Sequence, residues 1–277
     1  MREKPLTQLQ SIMKRIISAS YKNDIPAFGS EEFFQNLRNG YVETWTKFGK
    51  SRISLLPEDV YCIVFWTKNT SDHFLQNMRT IQSPWYIQWT ITGYGSDVEP
   101  NVPTKHIVLQ NFRYVASLIG PEKTMWRYDP IFISDKYNVN WHKKMFANLC
   151  AHLHGYTERC TISFLDEYGK IAPLVKAGVM RAPTLDEIHD LAEDMAKEAA
   201  LHGITIQTCS EGQYDLTAYG IHEAPCVDAE FIEKTFGLSL PDQVKKPNSF
   251  RRCLCAVNTD IGAYHTCRHN CAYCYAK

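Results

Sequence analysis

The feature that most narrows the fold is a repeated alternation of short apolar runs with segments of helical period. R-I-I-S-A-S (15–20), Y-C-I-V-F-W (61–66), W-Y-I-Q-W-T-I-T (85–92), T-M-W-R-Y-D-P-I (124–131), C-T-I-S-F-L (160–165) and I-T-I-Q-T-C (204–209) read as buried strands, and L-C-A-V-N (254–258) as a weak seventh. Helices are expected between them. One starts at Ser30, carries Glu31 and Glu32 in its first turn, aligns Phe33, Phe34 and Leu37, and stops at Gly40. A weaker one lies near 71–81, and others run from Thr104 to Gly120 and over about 140–154. Thr184 and Glu187 form a capping-box pattern ahead of Ile188, Leu191 and Met195, Gly203 closes that helix, and a short one lies near 228–236.

Six or seven such units predict an α/β chain, a full or partial (β/α) TIM-like barrel. An open doubly wound sheet is the second choice. The polar stretch P-D-Q-V-K-K-P-N-S (241–249) is the clearest break. It divides a barrel over residues 1–240 from a cysteine-rich tail over 241–277, expected to pack on the barrel mouth.

The chain has 277 residues, of which 44% are hydrophobic, enough for a large core. Its apolar runs are far too short to span a membrane, and its first residues lack the core of a signal peptide. Lys plus Arg and Asp plus Glu both total 30, so net charge gives no electrostatic case for a nucleic-acid partner. Seven of the ten cysteines fall after residue 200 at short spacings. Clustering of that kind favours metal ligation in a reducing, cytoplasmic setting over a disulfide framework. Cys62, Cys150 and Cys160 lie inside apolar elements and read as core.

Cys267, Cys271 and Cys274 stand in C-R-H-N-C-A-Y-C. Three thiolates at this spacing turn inward on one soft metal centre, and leave a four-iron cluster one ligand short. An iron with an open position can take a substrate or cofactor. The spacing, with aromatic Tyr273 before the last cysteine, resembles the signature of the radical S-adenosylmethionine enzymes. The chain as a whole resembles the DUF1848 family. The similarity lies in I-I-S-A-S and D-I-P-A-F (16–20, 24–28), C-I-V-F-W-T-K-N (62–69), W-R-Y-D-P-I (126–131), I-S-F-L-D (162–166) and D-I-G-A-Y-H-T-C-R-H-N-C-A-Y-C-Y-A (260–276). The first resemblance implies a [4Fe–4S] cluster on the three cysteines and S-adenosylmethionine chelated at the fourth iron. It also implies an electron donor such as a flavodoxin or ferredoxin, and a substrate that the resemblance does not name. Two features depart from the common pattern: the triad comes after residue 260, and no G-G-E stretch is visible.

In a parallel barrel the C-terminal strand ends meet in one mouth. There the sequence places Ser18, Ser20 and Asp24, Thr67 and Lys68, Thr90 and Thr92, Arg127 and Asp129, Ser163 and Asp166, and Cys209 and Glu211. Arg127 suits a bidentate clamp on the carboxylate of an amino-acid moiety. Asp129, Asp166 and Glu211 suit acceptors for ribose hydroxyls or an amine, and are the candidate catalytic groups beside Arg127. Ser18, Ser20, Asp24, Lys68 and Ser163 are candidates for holding the cofactor.

Cys209, Cys226, Cys253 and Cys255 form a second group of four, the number that closes a tetrahedral ion site or a second [4Fe–4S] cluster. The DUF1848 resemblance strengthens it, because a C-x-C tail and a segment like C-V-D (226–228) accompany the triad there. Two other classes of function fit the cysteines: a non-enzymatic electron carrier or redox sensor, and a structural zinc protein. W-R-Y-D-P-I also resembles a strand of spore photoproduct lyase, a hint of nucleic-acid repair that net charge does not support.

Overall fold

The structure is a computed structural model that describes residues 14–46, 49–167, 169–247 and 253–276. β1 (Arg15–Ala19) passes through a π-helical turn (Ile25–Gly29) into α1 (Ser30–Asn39), which Gly40 ends at φ 78°. A hairpin follows, β2 (Tyr41–Thr46) with β3 (Gly49–Ser54). Then come β4 (Val60–Thr67), α2 (Asp72–Asn77), β5 (Trp85–Thr90), α3 (Lys105–Ile119), β6 (Thr124–Ile131) and α4 (Val139–Leu153). β7 (Arg159–Phe164), α5 (Ala172–Lys176), α6 (Leu185–Leu201), β8 (Thr205–Thr208) and β9 (His222–Glu223) continue the series. α7 (Ala229–Phe236), α8 (Asp242–Lys245) and β10 (Asn258–Asp260) complete it. The Thr184–Glu187 capping box forms as the sequence predicts.

Eight strands make one sheet in the order β10-β1-β4-β5-β6-β7-β8-β9, and every pair in it is parallel. From β1 to β9 the neighbours follow chain order with no reversal, apart from the separate hairpin. A doubly wound sheet would show a switch point instead. The sheet is therefore a one-way parallel α/β sheet. It is not closed by a ladder among the described residues: β9 and β10 are its edges, with two and three residues each. The tail is no separate layer either, because β10 is a strand of the sheet and pairs with β1. The expected strand at 254–258 moves to 258–260, because Ala256 bridges to Pro247 and donates its N–H to the Val227 carbonyl.

Alternation along the strands sends side chains to two faces. On one, Ile17, Phe65, Trp89, Trp126, Phe164 and Ile206 pack with α1, α3, α4 and α6 residues such as Phe33, Phe112, Phe146 and Leu191. The opposite face begins apolar, with Ile16, Val64, Tyr86 and Met125 under Phe231, Ile232, Leu240 and Val244. One step further along, the same face turns polar and stays buried, at Ser18, Gln88, Arg127, Thr161 and Gln207. Cys62, Cys150 and Cys160 are fully buried core residues, as expected. No helix among the described residues is long and apolar enough to cross a membrane.

His142 on α4 locks the helix layer to the sheet. It is fully buried, takes a hydrogen bond from the Tyr128 hydroxyl at Nδ1 (2.8 Å) and donates from Nε2 to the Phe132 carbonyl (2.8 Å). Burial lowers its pKa to about 4. The unfolded chain therefore binds more protons between about pH 6.5 and 4, and stability falls as pH drops through that window. His142→Leu should cost roughly 1–3 kcal/mol at pH 7 by stranding the Tyr128 hydroxyl. Its deficit against wild type should shrink as the pH falls to 4, measured by urea melts; a pH-independent deficit would refute this account.

Candidate cysteine centres at the strand ends

Three buried carboxylates hold the tail across the C-terminal ends of the strands. Asp260 accepts from Ser18 Oγ (2.9 Å), Ser20 Oγ (2.8 Å) and the main-chain N–H groups of Tyr21 and Gly262. Asp24 accepts from Ala27 N–H, Thr67 Oγ1 and Lys68 N–H, and from His269 Nε2 at 2.9 Å. Glu99, 3% exposed, accepts from Lys68 Nζ (2.8 Å), Lys105 Nζ (2.7 Å), Thr92 Oγ1 and the Tyr273 hydroxyl. Burial alone would raise the Glu99 carboxyl, but the two lysines outweigh it and hold the group far below the usual carboxylate range. Main-chain bonds from Ala272 N–H to Val98 and from Asn101 N–H to His269 fix the loop further.

This loop carries the triad. Cys271 is buried, while Cys267 and Cys274 are half-buried. Burial pushes the Cys267 thiol up to about 12 against the opposing His269 amide, with Asp24, Cys271 and Cys274 adding to the rise. Any ligated metal must displace that proton. Burial lowers the Lys68 pKa, but Glu99 and Cys271 more than reverse this, with Asp129 contributing. Lys68 thus stands between the triad and the next group.

The second cysteine group also assembles. The sulfurs of Cys209, Cys253 and Cys255 lie within 4.8 Å of one another. Cys226 adjoins them through its main-chain N–H on Cys255 Sγ, and the neighbouring Cys209 and Cys255 with Arg127 hold its thiol well below its ordinary pKa. Cys209, Cys226 and Cys253 push Cys255 the other way. Main-chain N–H groups of Cys226 and Val227 donate to Cys255 Sγ at 3.2 and 3.4 Å, and that of Cys255 to Cys253 Sγ at 3.4 Å.

Arg127 has different partners from the expected clamp. Nε and Nη2 grip Asp129 Oδ2 at 3.2 and 2.6 Å, and Nη1 meets Cys226 Sγ at 2.7 Å. Burial disfavours its charge, but Cys226 and Asp129 retain it. Ser163 donates to the other oxygen of Asp129. Glu211 accepts from Phe164 N–H and Gln213; burial, aided by Asp166, Asp129 and Cys209, raises its carboxyl to about 8. Asp166 is exposed at the rim. Ser18, Ser20 and Asp24, expected to hold a cofactor, are engaged in holding the tail. Glu99 and Asp260 were not singled out by sequence. Asp260 lies in the D-I-G-A-Y segment, whereas Glu99 sits in a loop with no motif.

The profile of the domain of unknown function DUF1848 matches residues 16–276. The chain belongs to that family. A search of curated proteins finds no match.

The tail's seat is open to test. Glu99→Gln keeps the shape but leaves Lys68 and Lys105 without their anion, a loss of about 3–5 kcal/mol for a broken buried pair. Hydrogen exchange at Ala272 and Cys274 should accelerate in the variant. Unchanged protection there would show that the carboxylate does not hold the tail.

Proposed function

We propose that this DUF1848 chain is an iron–sulfur enzyme of the radical S-adenosylmethionine type. In this reading Cys267, Cys271 and Cys274 hold a [4Fe–4S] cluster, and the sheet is a (β/α) barrel with its mouth under the triad loop. The observation that carries the reading is the seat of that loop. Asp24–His269 and Glu99–Tyr273 place the triad over the C-terminal strand ends, where parallel α/β folds put their chemistry. An electron carrier needs no such placement. When bound, the cluster would supply the electron that splits the sulfonium bond of S-adenosylmethionine.

The chain's own residues bind and orient. Lys68 and Lys105 share one carboxylate, Glu99, and Lys68 lies within electrostatic reach of Cys271. That is a suitable environment for the cofactor's carboxylate, and Lys68 takes the clamp role in place of Arg127. Asp129 and Ser163 face the same region from β6 and β7, with Glu211 and Asp166 beyond them, and would contact the substrate. Buried Tyr273 and Tyr94 pack beside Cys271 and exclude water. The reading also calls for a substrate in the mouth and for a reductant such as a flavodoxin or ferredoxin.

Anaerobic reconstitution tests it. Replacing all three triad cysteines with Ala should remove about 4 irons per chain. S-adenosylmethionine should change the electron paramagnetic resonance spectrum of the reduced wild-type cluster. A triple variant with wild-type iron and sulfide would end the cluster assignment. A cluster indifferent to S-adenosylmethionine would favour electron transfer. Lys68→Met should keep the iron and weaken S-adenosylmethionine binding ~10-fold or more, about 1.4 kcal/mol or above.

A further inference from the structure

We infer that Cys209, Cys226, Cys253 and Cys255 bind one thiophilic divalent ion of the Zn2+ type, which staples the seam between the two edges of the sheet. The four residues come from opposite sides of that seam. Cys209 follows β8 and Cys226 follows β9, while Cys253 and Cys255 precede β10. Among the described residues β9 is bonded only to β8 and β10 only to β1. Between these edges, among the described residues, one main-chain bond runs from Ala256 N–H to the Val227 carbonyl at 2.9 Å. The N–H groups of Cys226 and Val227, which a closing strand would pair with carbonyls, point at Cys255 Sγ instead.

The spacing of the sulfurs points to a single ion. Three lie within 4.8 Å of one another. Four thiolates around one Zn2+ at about 2.3 Å stand about 3.8 Å apart, by tetrahedral geometry. A cubane would force its ligands much further apart. The Arg127 guanidinium, 2.7 Å from Cys226 Sγ, and the three amides at 3.2–3.4 Å from Cys255 and Cys253 leave no room for that without rebuilding the seam. The surroundings also fit the charge. A divalent ion with four thiolates carries two negative charges, and meets Arg127 and three N–H donors. The Cys226 carbonyl is itself held by Tyr86 Oη (2.7 Å) and Gln88 Nε2 (2.9 Å), so this ligand is fixed from the inner face of the sheet.

Two forms of the full chain test the site separately from the triad. The first is Cys267, Cys271 and Cys274→Ala, purified without iron and titrated with Co2+. It should bind about one cobalt per chain, with the intense visible bands of tetrahedral thiolate coordination, and release it to Zn2+. The second is Cys209→Ser with Cys253→Ser in an otherwise native chain. It should lose one zinc per chain as isolated and keep the triad's iron. Binding of Zn2+ to the first form should slow hydrogen exchange at Ala224 and Ala256, beside the seam. Octahedral or absent cobalt binding overturns the proposal. So does about four irons with sulfide in the triad-less form after reconstitution, the sign of a second cluster. Should that form not fold, zinc and iron counts on the wild type and the seam variant decide alone. Equal zinc in both refutes the site. Failure of the triad to hold a cluster would leave these outcomes untouched.

Discussion

The arrangement of the strand ends depends on carboxylates taken out of water. A buried carboxylate is tolerable only when its lone pairs are filled and its charge is met. Asp24, Glu99 and Asp260 each meet this condition with partners drawn from distant parts of the chain. The tail supplies His269, Tyr273 and Asp260 itself, while the strand ends supply serines, threonines and Lys68. Any displacement of the triad loop would expose unmatched charge, so the loop is held by the cost of leaving as much as by its contacts.

The polar inner face extends this logic across the sheet. Gln207 reaches Thr161, Gln88 reaches the Cys226 carbonyl, and Arg127 joins Asp129 to a sulfur. Two cysteine centres thus lie at the ends of one buried polar layer, with Lys68 and Asp129 between them.

Much of the fold was legible because strands and helices differ in period. Phe33, Phe34 and Leu37 marked a helix face, Gly40 its end, and Val64 through Trp66 a buried strand. The β2–β3 hairpin was not, because T-W-T and R-I-S carry mixed polarity and lie where a helix–strand rhythm was expected. The seam was hidden for another reason. L-C-A-V-N looks like a strand by composition, yet the Ala256 bridge to Pro247 turns it out of the sheet. The triad is marked by its spacing, whereas its seat on Asp24 and Glu99 had no local sign. The four-cysteine group was readable only as a count, since the meeting of Cys209 and Cys226 with Cys253 and Cys255 depends on tertiary closure. Arg127 lies inside β6, four residues short of its end, and its partner Cys226 is 99 residues away with no local pattern to announce it.

The position of β10 beside β1 has a consequence for assembly. Ser18 and Asp260 are 242 residues apart in sequence and hydrogen-bonded in space. During synthesis β1 emerges early and keeps an unpaired edge until nearly all the intervening chain has been made. Contacts of such long range form late and carry the largest loop-closure entropy. The growing chain therefore holds an open β edge until β10 follows, and the seven cysteines after residue 200 come together only as that last strand pairs.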